Sequence, residues 1–237
     1  MIIRRLSSLI ILPAILATAC GQYYQFDLDE LTGPGFGARS TTIVKNSGLA
    51  LGHHPLHSVD SAARLRLGLA AGNPLDLKND IDNGWLPTVE MGFLVTTNMV
   101  LTGKIGGFKS DNDIVQVTSY GATLFLENAP QQEPWVCAAG FTVLRGPRDI
   151  WIRLTDILLH RQYLVWRLPV TLGVGTNLTT ARLTLDSDTA YNRRYTGQTN
   201  YLYLGWQKKL KPGNCGMHLR LHSRVAVLTF DFMREFK

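Results

Sequence analysis

Beyond its first twenty positions, the 237-residue sequence has no run of about 18 apolar residues, and so no candidate transmembrane helix. It also lacks the sustained hydrophobic period of about 3.6 residues that a helical bundle requires. The Gly-x-Ser-x-Gly and His-Glu-x-x-His motifs are missing, and "GPGFG" at 33–37 lacks the following Lys-Ser/Thr of a phosphate loop. We therefore expect no enzymatic activity, no cofactor and no metal site.

Cysteine is scarce, with three residues in the chain, and the first of them follows an export signal. Arg4 and Arg5 precede an apolar run at 6–16 and the small residues at 17–19. This pattern is typical of a secretory signal peptide over 1–19. The small residues followed by Cys20 resemble a bacterial lipoprotein signal, which implies a lipidated Cys20 at the mature N-terminus. Ordinary cleavage after Ala19 is the alternative.

The other two cysteines, Cys137 and Cys215, would then remain as a pair in an oxidising compartment. They are candidates for a disulfide, or else two inert buried thiols. The formal net charge is only +6. This weak excess in an exported protein excludes nucleic acid as an expected partner and is compatible with anionic lipid headgroups or acidic solutes.

Segments with a two-residue hydrophobic period recur along the rest of the chain, separated by turn residues such as "KSDND" and "KPGN". We predict ten strands, joined by links that are mostly too short for crossover helices and therefore antiparallel. The predicted strands lie near 64–70, 85–95, 98–108, 114–126, 134–145, 149–157, 162–175, 179–186, 200–209 and 216–232.

Each predicted strand separates an apolar face from a polar one. The apolar sets include Leu65, Leu67 and Leu69; Val89, Met91 and Phe93; Ile150, Ile152 and Leu154; Leu202 and Leu204; and Met217, Leu219 and Leu221. The opposite faces collect charged residues among Gly, Thr and Tyr, and these are candidates for lining a lumen: Arg66, Glu90, Lys104, Arg153, Arg167, Arg182 and Arg220.

Alternation alone is compatible with a soluble β-sandwich, whose polar side faces water. Strands of about 9–13 residues, tryptophans in or near the strands and small residues beside single charges favour a transmembrane barrel instead. We predict an all-β, antiparallel, up-and-down transmembrane barrel of about ten strands, with a β-sandwich as the alternative. The expected divisions are a signal at 1–19, an N-terminal arm or plug at 20–63 and the barrel at 64–237.

With its hairpins and its aromatic end "LTFDFMREFK", the chain resembles bacterial outer-membrane β-barrel proteins. The resemblance implies a place in the outer membrane and a small channel, transport-associated or structural role. Expected partners are outer-membrane lipid, small anionic solutes and other envelope proteins. The alternative is a periplasmic, lipid-anchored sandwich that binds a ligand or a partner protein.

Two finer expectations concern the N-terminal arm. An even number of strands places Cys20 and the C-terminus on the same, periplasmic side of the membrane. His53, His54 and His57 lack a nearby Cys or carboxylate at metal-binding spacing, so we interpret them as solvated loop histidines.

Overall fold

The computed structural model describes residues 23, 24, 26, 36–55, 64–76, 84–110, 113–126, 134–146, 150–166, 168–184, 193–211, 213–223 and 225–236. Their helix, α1, spans Phe36–Leu51. No helix in these ranges has the length and hydrophobicity needed to cross a membrane. The strands are β1 (Leu65–Asp76), β2 (Leu86–Thr96), β3 (Met99–Ser110), β4 (Asp113–Phe125), β5 (Trp135–Arg145), β6 (Ile150–Val165), β7 (Leu168–Leu183), β8 (Arg193–Leu210), β9 (Gly213–His222) and β10 (Val225–Phe236).

The ten strands form one closed antiparallel barrel in which β1 pairs with both β2 and β10. The closing seam runs from Leu65 opposite Phe236 to Asp76 opposite Val225 without a shift of register. Closure leaves no unpaired sheet edge, which is the condition for placing strands in hydrocarbon. The predicted up-and-down barrel is confirmed, and the sandwich alternative is excluded.

The predicted number of strands is right because two errors cancel. The segments 162–175 and 179–186 were predicted as separate strands, but β7 continues through both after a turn at Trp166. Trp166 has a positive φ of 49°, which suits the two-residue connection between β6 and β7. The segment 216–232 is instead two strands, β9 and β10, joined at Ser223.

The outer face of the barrel is apolar over most of its circumference. Leu202 is 61% exposed and Val174 is 57% exposed. Other apolar side chains on the outside, all predicted there, are Leu65, Leu67, Leu69, Val89, Met91, Phe93, Leu101, Ile105, Leu204, Met217 and Leu221. Such a surface is stable against lipid tails but not against water, so the chain is a transmembrane barrel.

Strand β6 has the opposite orientation to the predicted one. Ile150, Ile152 and Leu154 are buried inside the barrel, whereas Arg153 is exposed and Trp151 lies on its outer side. The interior at this height is an apolar core, so both faces of β6 carry apolar residues and hydrophobicity does not distinguish them. This core includes Phe108, Val115, Val117, Leu144, Ile150, Leu154, Leu183, Val225 and Val227.

Helix α1 lies inside the barrel, where it contacts β1, β6, β7, β8 and β10. Val44, Ser47 and Leu49 are fully buried, as are residues on the other sides of the helix. A helix surrounded by protein needs no apolar stripe, which explains why the sequence shows no helical period here. The helix ends at Leu51 and is followed by Gly52, whose amide donates to the Gly48 carbonyl at 3.0 Å.

The chain passes through the barrel lengthwise. Tyr23 forms a β-bridge with Trp85, beside the start of β2, and the Tyr24 amide donates to the Trp85 carbonyl at 3.3 Å. We call this end the distal rim, and the end where Leu65 pairs with Phe236 the proximal rim. The described N-terminal residues therefore lie opposite the C-terminus, because α1 adds one more passage to the ten strands.

Candidate functional site

A belt of charged and hydrogen-bonding side chains separates the apolar core at the distal end from the proximal half of the lumen. We call it the polar layer, and we call α1 with residues 52–55 the plug. All members of the layer are buried, and they come from seven strands and the plug: His53, His54, Glu90, Lys104, Asp156, Asn177, Tyr201, Tyr203, His218, Arg220 and Asp231.

The two cations of the barrel wall bind the end of the plug. Lys104 Nζ donates to the Leu51 carbonyl at 2.6 Å and to the His53 carbonyl at 2.5 Å. Arg220 Nη1 donates to the Leu49 carbonyl at 2.6 Å. The last carbonyls of a helix have no partner within the helix and carry its negative dipole end, so they are natural acceptors for cations.

A second set of contacts fixes the last turn of α1 against β6 and β7. Asn177 Nδ2 donates to the Gly48 carbonyl at 2.9 Å and to Asp156 Oδ1 at 3.1 Å. A Cβ on Gly48 would lie 2.8 Å from Thr179 Oγ1, and one on Gly52 would lie 2.6 Å from Asp156 Oδ1. Glycine at both positions therefore lets the helix approach the wall this closely while Thr179 and Asp156 are in place.

The two histidines after α1 each face a carboxylate of the wall. His54 Nε2 lies 3.2 Å from Asp156 Oδ2, and the Tyr201 hydroxyl donates to the same oxygen at 2.6 Å. His53 Nε2 lies 3.7 Å from Asp231 Oδ2. The prediction that His53 and His54 are solvated loop residues is therefore wrong, since the carboxylates that they face are distant in sequence.

His218 connects two other members of the polar layer. Its Nδ1 lies 2.6 Å from the Tyr203 hydroxyl, and its Nε2 contacts Asp231 Oδ2. Tyr203, His218 and Asp231 form a chain suited to proton transfer. All three are buried beside the plug, so this chain has no open face for a substrate.

Three of these groups also have the composition of a metal site. Ligand atoms of His53, His218 and Asp231 lie within 4.8 Å of one another, and imidazole with carboxylate suits Zn²⁺. Two fixed cations, Lys104 and Arg220, act electrostatically on the same layer and would oppose a dication. The arrangement is explained more simply as the seal between the plug and the wall.

Glu90 and Lys104 face each other directly across β2 and β3. Neither oxygen of the buried Glu90 carboxylate has a hydrogen-bond partner, and Oε2 lies 3.9 Å from His53 Nε2. The positive charges of Lys104 and Arg220 therefore act on Glu90 without direct hydrogen bonds. Loss of Lys104 would remove the cation that faces Glu90 across the strand pair and leave Arg220 alone to compensate it.

The structure divides the seven predicted lumen residues into two groups. Arg66, Glu90, Lys104 and Arg220 lie buried inside the barrel, and Arg66 Nε is 3.8 Å from Glu235. The predictions for Arg153 and Arg182 are wrong, because both are exposed on the outer face of β6 and β7. Their strands carry apolar residues inside, so the charged positions face outwards. Arg167 lies outside the described residues.

Of the two alternatives for the second and third cysteines, the structure has free thiols and no disulfide. Cys137 and Cys215 are free thiols on the outer sides of β5 and β9, with three strands between them in the barrel. Cys20 lies outside the described residues.

The alternation in the sequence places some further members of the polar layer on the polar face. Tyr201 and Tyr203 alternate with Leu202 and Leu204, and His218 follows Met217. Asp231 was not predicted, although it alternates with Phe230 and Phe232 in the last strand. Asp156 was not predicted either, because it occupies a strand with mixed faces and its assignment required the register of neighbouring strands.

A comparison with solved structures finds distant matches. Solved structures that match include Ail of Yersinia pestis with the heparin analogue sucrose octasulfate (TM-score 0.32, 11% identity, 72% of this chain and 94% of that chain). The KdgM porin matches with a TM-score of 0.34 and 10% identity over 72% of this chain and 99% of that chain. The CymD monoaromatic hydrocarbon channel matches with a TM-score of 0.26 and 5% identity over 75% of this chain and 90% of that chain.

No protein-family model and no curated protein matches the sequence. The solved structures are too distant to indicate a ligand or an activity. The closed ten-stranded wall and its apolar outer face identify the chain as a transmembrane β-barrel.

Replacing Lys104 should loosen the plug. Lys104→Met removes two hydrogen bonds to the plug and leaves Glu90 without the cation that faces it, which costs about 3–5 kcal/mol for a buried pair. We expect faster trypsin cleavage at Lys45 in α1 and a lower free energy of unfolding in urea. Lys109→Met, on the exposed part of the same strand, is the matched control. Equal behaviour of the two variants would contradict the assigned role of Lys104.

Proposed function

We propose that the protein is an outer-membrane lipoprotein that forms a small gated channel, closed by its own N-terminal plug. The observation that carries this proposal is the way in which the plug is held. Wall cations and an amide bind the carbonyls of Gly48, Leu49 and Leu51 at the end of α1. These contacts can be exchanged for water one by one when the plug leaves.

The wall itself supports a hydrated passage in the open state. Without the plug, Lys104, Arg220 and Glu90 would face the lumen, and water would solvate them at little cost. A barrel with a purely structural role could have apolar residues in this layer, as this protein has in its distal half. We expect the solutes to be small and polar. We propose that they are anionic, because Arg66, Lys104 and Arg220 line the same passage.

A closed structural barrel is the second candidate. It is favoured by the apolar core, in which Val44 and Leu49 of α1 pack with residues of the wall. Opening the channel would expose part of that surface, at about 25 cal/mol for each Å². The two candidates differ in whether the lumen ever conducts.

The lipid anchor at Cys20 is the other part of the proposal. Cys20 precedes Tyr23, which lies at the distal rim, by three positions, and three positions of extended chain span at most about 11 Å. An acyl group on Cys20 would therefore enter the membrane leaflet at the distal rim, opposite the C-terminus. In this arrangement the anchor holds the chain that precedes the plug at the distal rim while the plug moves.

Planar-bilayer recordings on one locked variant test the gate. Gly48→Cys and Thr179→Cys are placed in the Lys104→Met chain, with Cys137 and Cys215 changed to serine. The first two positions are in reach of a disulfide, since a Cβ on Gly48 lies 2.8 Å from Thr179 Oγ1, a position that the sulfur of Thr179→Cys can take. We expect channel openings under dithiothreitol and silence after oxidation, in the same molecules.

Silence under both conditions would favour the structural barrel, and equal conductance under both would place the ion path elsewhere. A chain with the serine changes and Lys104→Met, but without the new cysteine pair, is the control for effects of the reductant itself.

Labelling of intact cells tests the anchor. We expect the mass of an acylated N-terminal peptide for the mature chain and its loss in Cys20→Ser. A protease tag inserted before Tyr23 should be cleaved from the same side of the membrane as a tag in the 223–224 turn, which lies at the distal rim. Cleavage from the side of the C-terminus would contradict the threaded arrangement.

A further inference from the structure

Three arginines on the outer surface form a basic cluster near the distal rim. Arg153, Arg182 and Arg194 belong to the adjacent strands β6, β7 and β8, and all three are exposed. They line a cavity of about 280 Å³ together with Trp151 and the threonines Thr155 and Thr180. We call these three arginines and Trp151 the arginine cluster.

The register of the strands makes this cluster electrostatically unusual. Arg182 is the direct cross-strand partner of Arg194, so two like charges oppose each other on one face of the sheet. Such pairs are destabilising unless a counter-charge is present. No carboxylate in the described part of the chain lies within 4 Å of Arg153, Arg182 or Arg194.

The side chain of Trp151 organises the cluster. The Arg153 guanidinium lies 4.1 Å from the centre of the indole ring, and the Arg182 guanidinium lies 5.5 Å from it. Trp151 and Arg182 are also direct cross-strand partners. Cation–π contacts of this kind hold the guanidinium groups in place while leaving their N–H donors free for an anion.

The height of the cluster on the barrel indicates the source of that anion. Toward the proximal rim, the outer face becomes apolar four residues from the cluster on β6 and β7, at Ile157 and Leu178. On β8 it becomes apolar at Leu202, after the exposed Thr196, Gln198 and Asn200. The arginines therefore lie beyond the hydrocarbon, on the side of the polar headgroups, where tryptophan is also found. At this level the abundant anions are the phosphates of membrane lipids.

We propose that the arginine cluster binds the phosphate of a lipid headgroup in the leaflet at the distal rim. Guanidinium groups bind phosphate in a bidentate manner, and three of them match a phosphate monoester, which carries a charge of about −1.5 to −2. The neighbouring apolar surface accommodates the acyl chains of the same lipid. The site lies on the outside of the wall and does not depend on whether the lumen conducts.

Native mass spectrometry of the full chain tests this site with lipid A, a glycolipid that carries phosphate monoesters. The protein is released from nanodiscs of phosphatidylcholine doped with lipid A. The test variant is Arg153→Gln, Arg182→Gln, Arg194→Gln. The control is Lys208→Gln, Lys209→Gln, Arg234→Gln, which removes three positive charges near the proximal rim.

We expect the unchanged protein and the control to retain lipid A, and the test variant to retain at least tenfold less. Equal retention by the test variant and the control would overturn the site. Inorganic phosphate at millimolar concentration should not displace the lipid, because it lacks the acyl chains. Complete displacement would show a soluble-anion site and would overturn the lipid assignment. Heat-modifiable migration of each variant on gels confirms that its barrel is folded.

Discussion

The structure depends on one electrostatic constraint, namely that charges buried in the barrel wall must be compensated. Lys104 and Arg220 point into a lumen where water is largely displaced by the plug. The carbonyls at the end of α1 provide their acceptors, and in return the cations complete the hydrogen bonding of a helix end. The plug and the wall therefore satisfy part of each other's polar groups, while Arg220 Nε and Nη2 stay buried without a hydrogen bond.

The outer surface follows a different rule from the inner one. Most outer positions are apolar because they meet lipid, while the arginine cluster begins where the hydrocarbon ends. The interior is apolar at its distal end and charged in the middle, so polarity varies with height as well as with face. The plug crosses both regions, with Val44 in the apolar core and His53 in the polar layer.

These two distributions of polarity explain which features of the structure could be predicted from the sequence and which could not. Hydrophobic alternation identified the barrel and the lipid-facing sides of strands such as β1, β2 and β9. It failed on β6, where Ile152 inside and Ile157 outside are equally apolar. It also failed on α1, because a helix enclosed by protein shows no amphipathic period. The partners of His53 and His54 are more than a hundred residues away, so only the folded barrel brings them together.

Hydrogen exchange of the backbone amides in α1 tests the enclosed plug most directly. The account predicts that the amides of residues 44–51 exchange as slowly as those of β6 and β7 in the intact barrel, because they are shielded by the wall. Exchange within seconds, as in an unstructured peptide, would show that α1 does not occupy the lumen and would contradict the compensation of the buried charges by the plug.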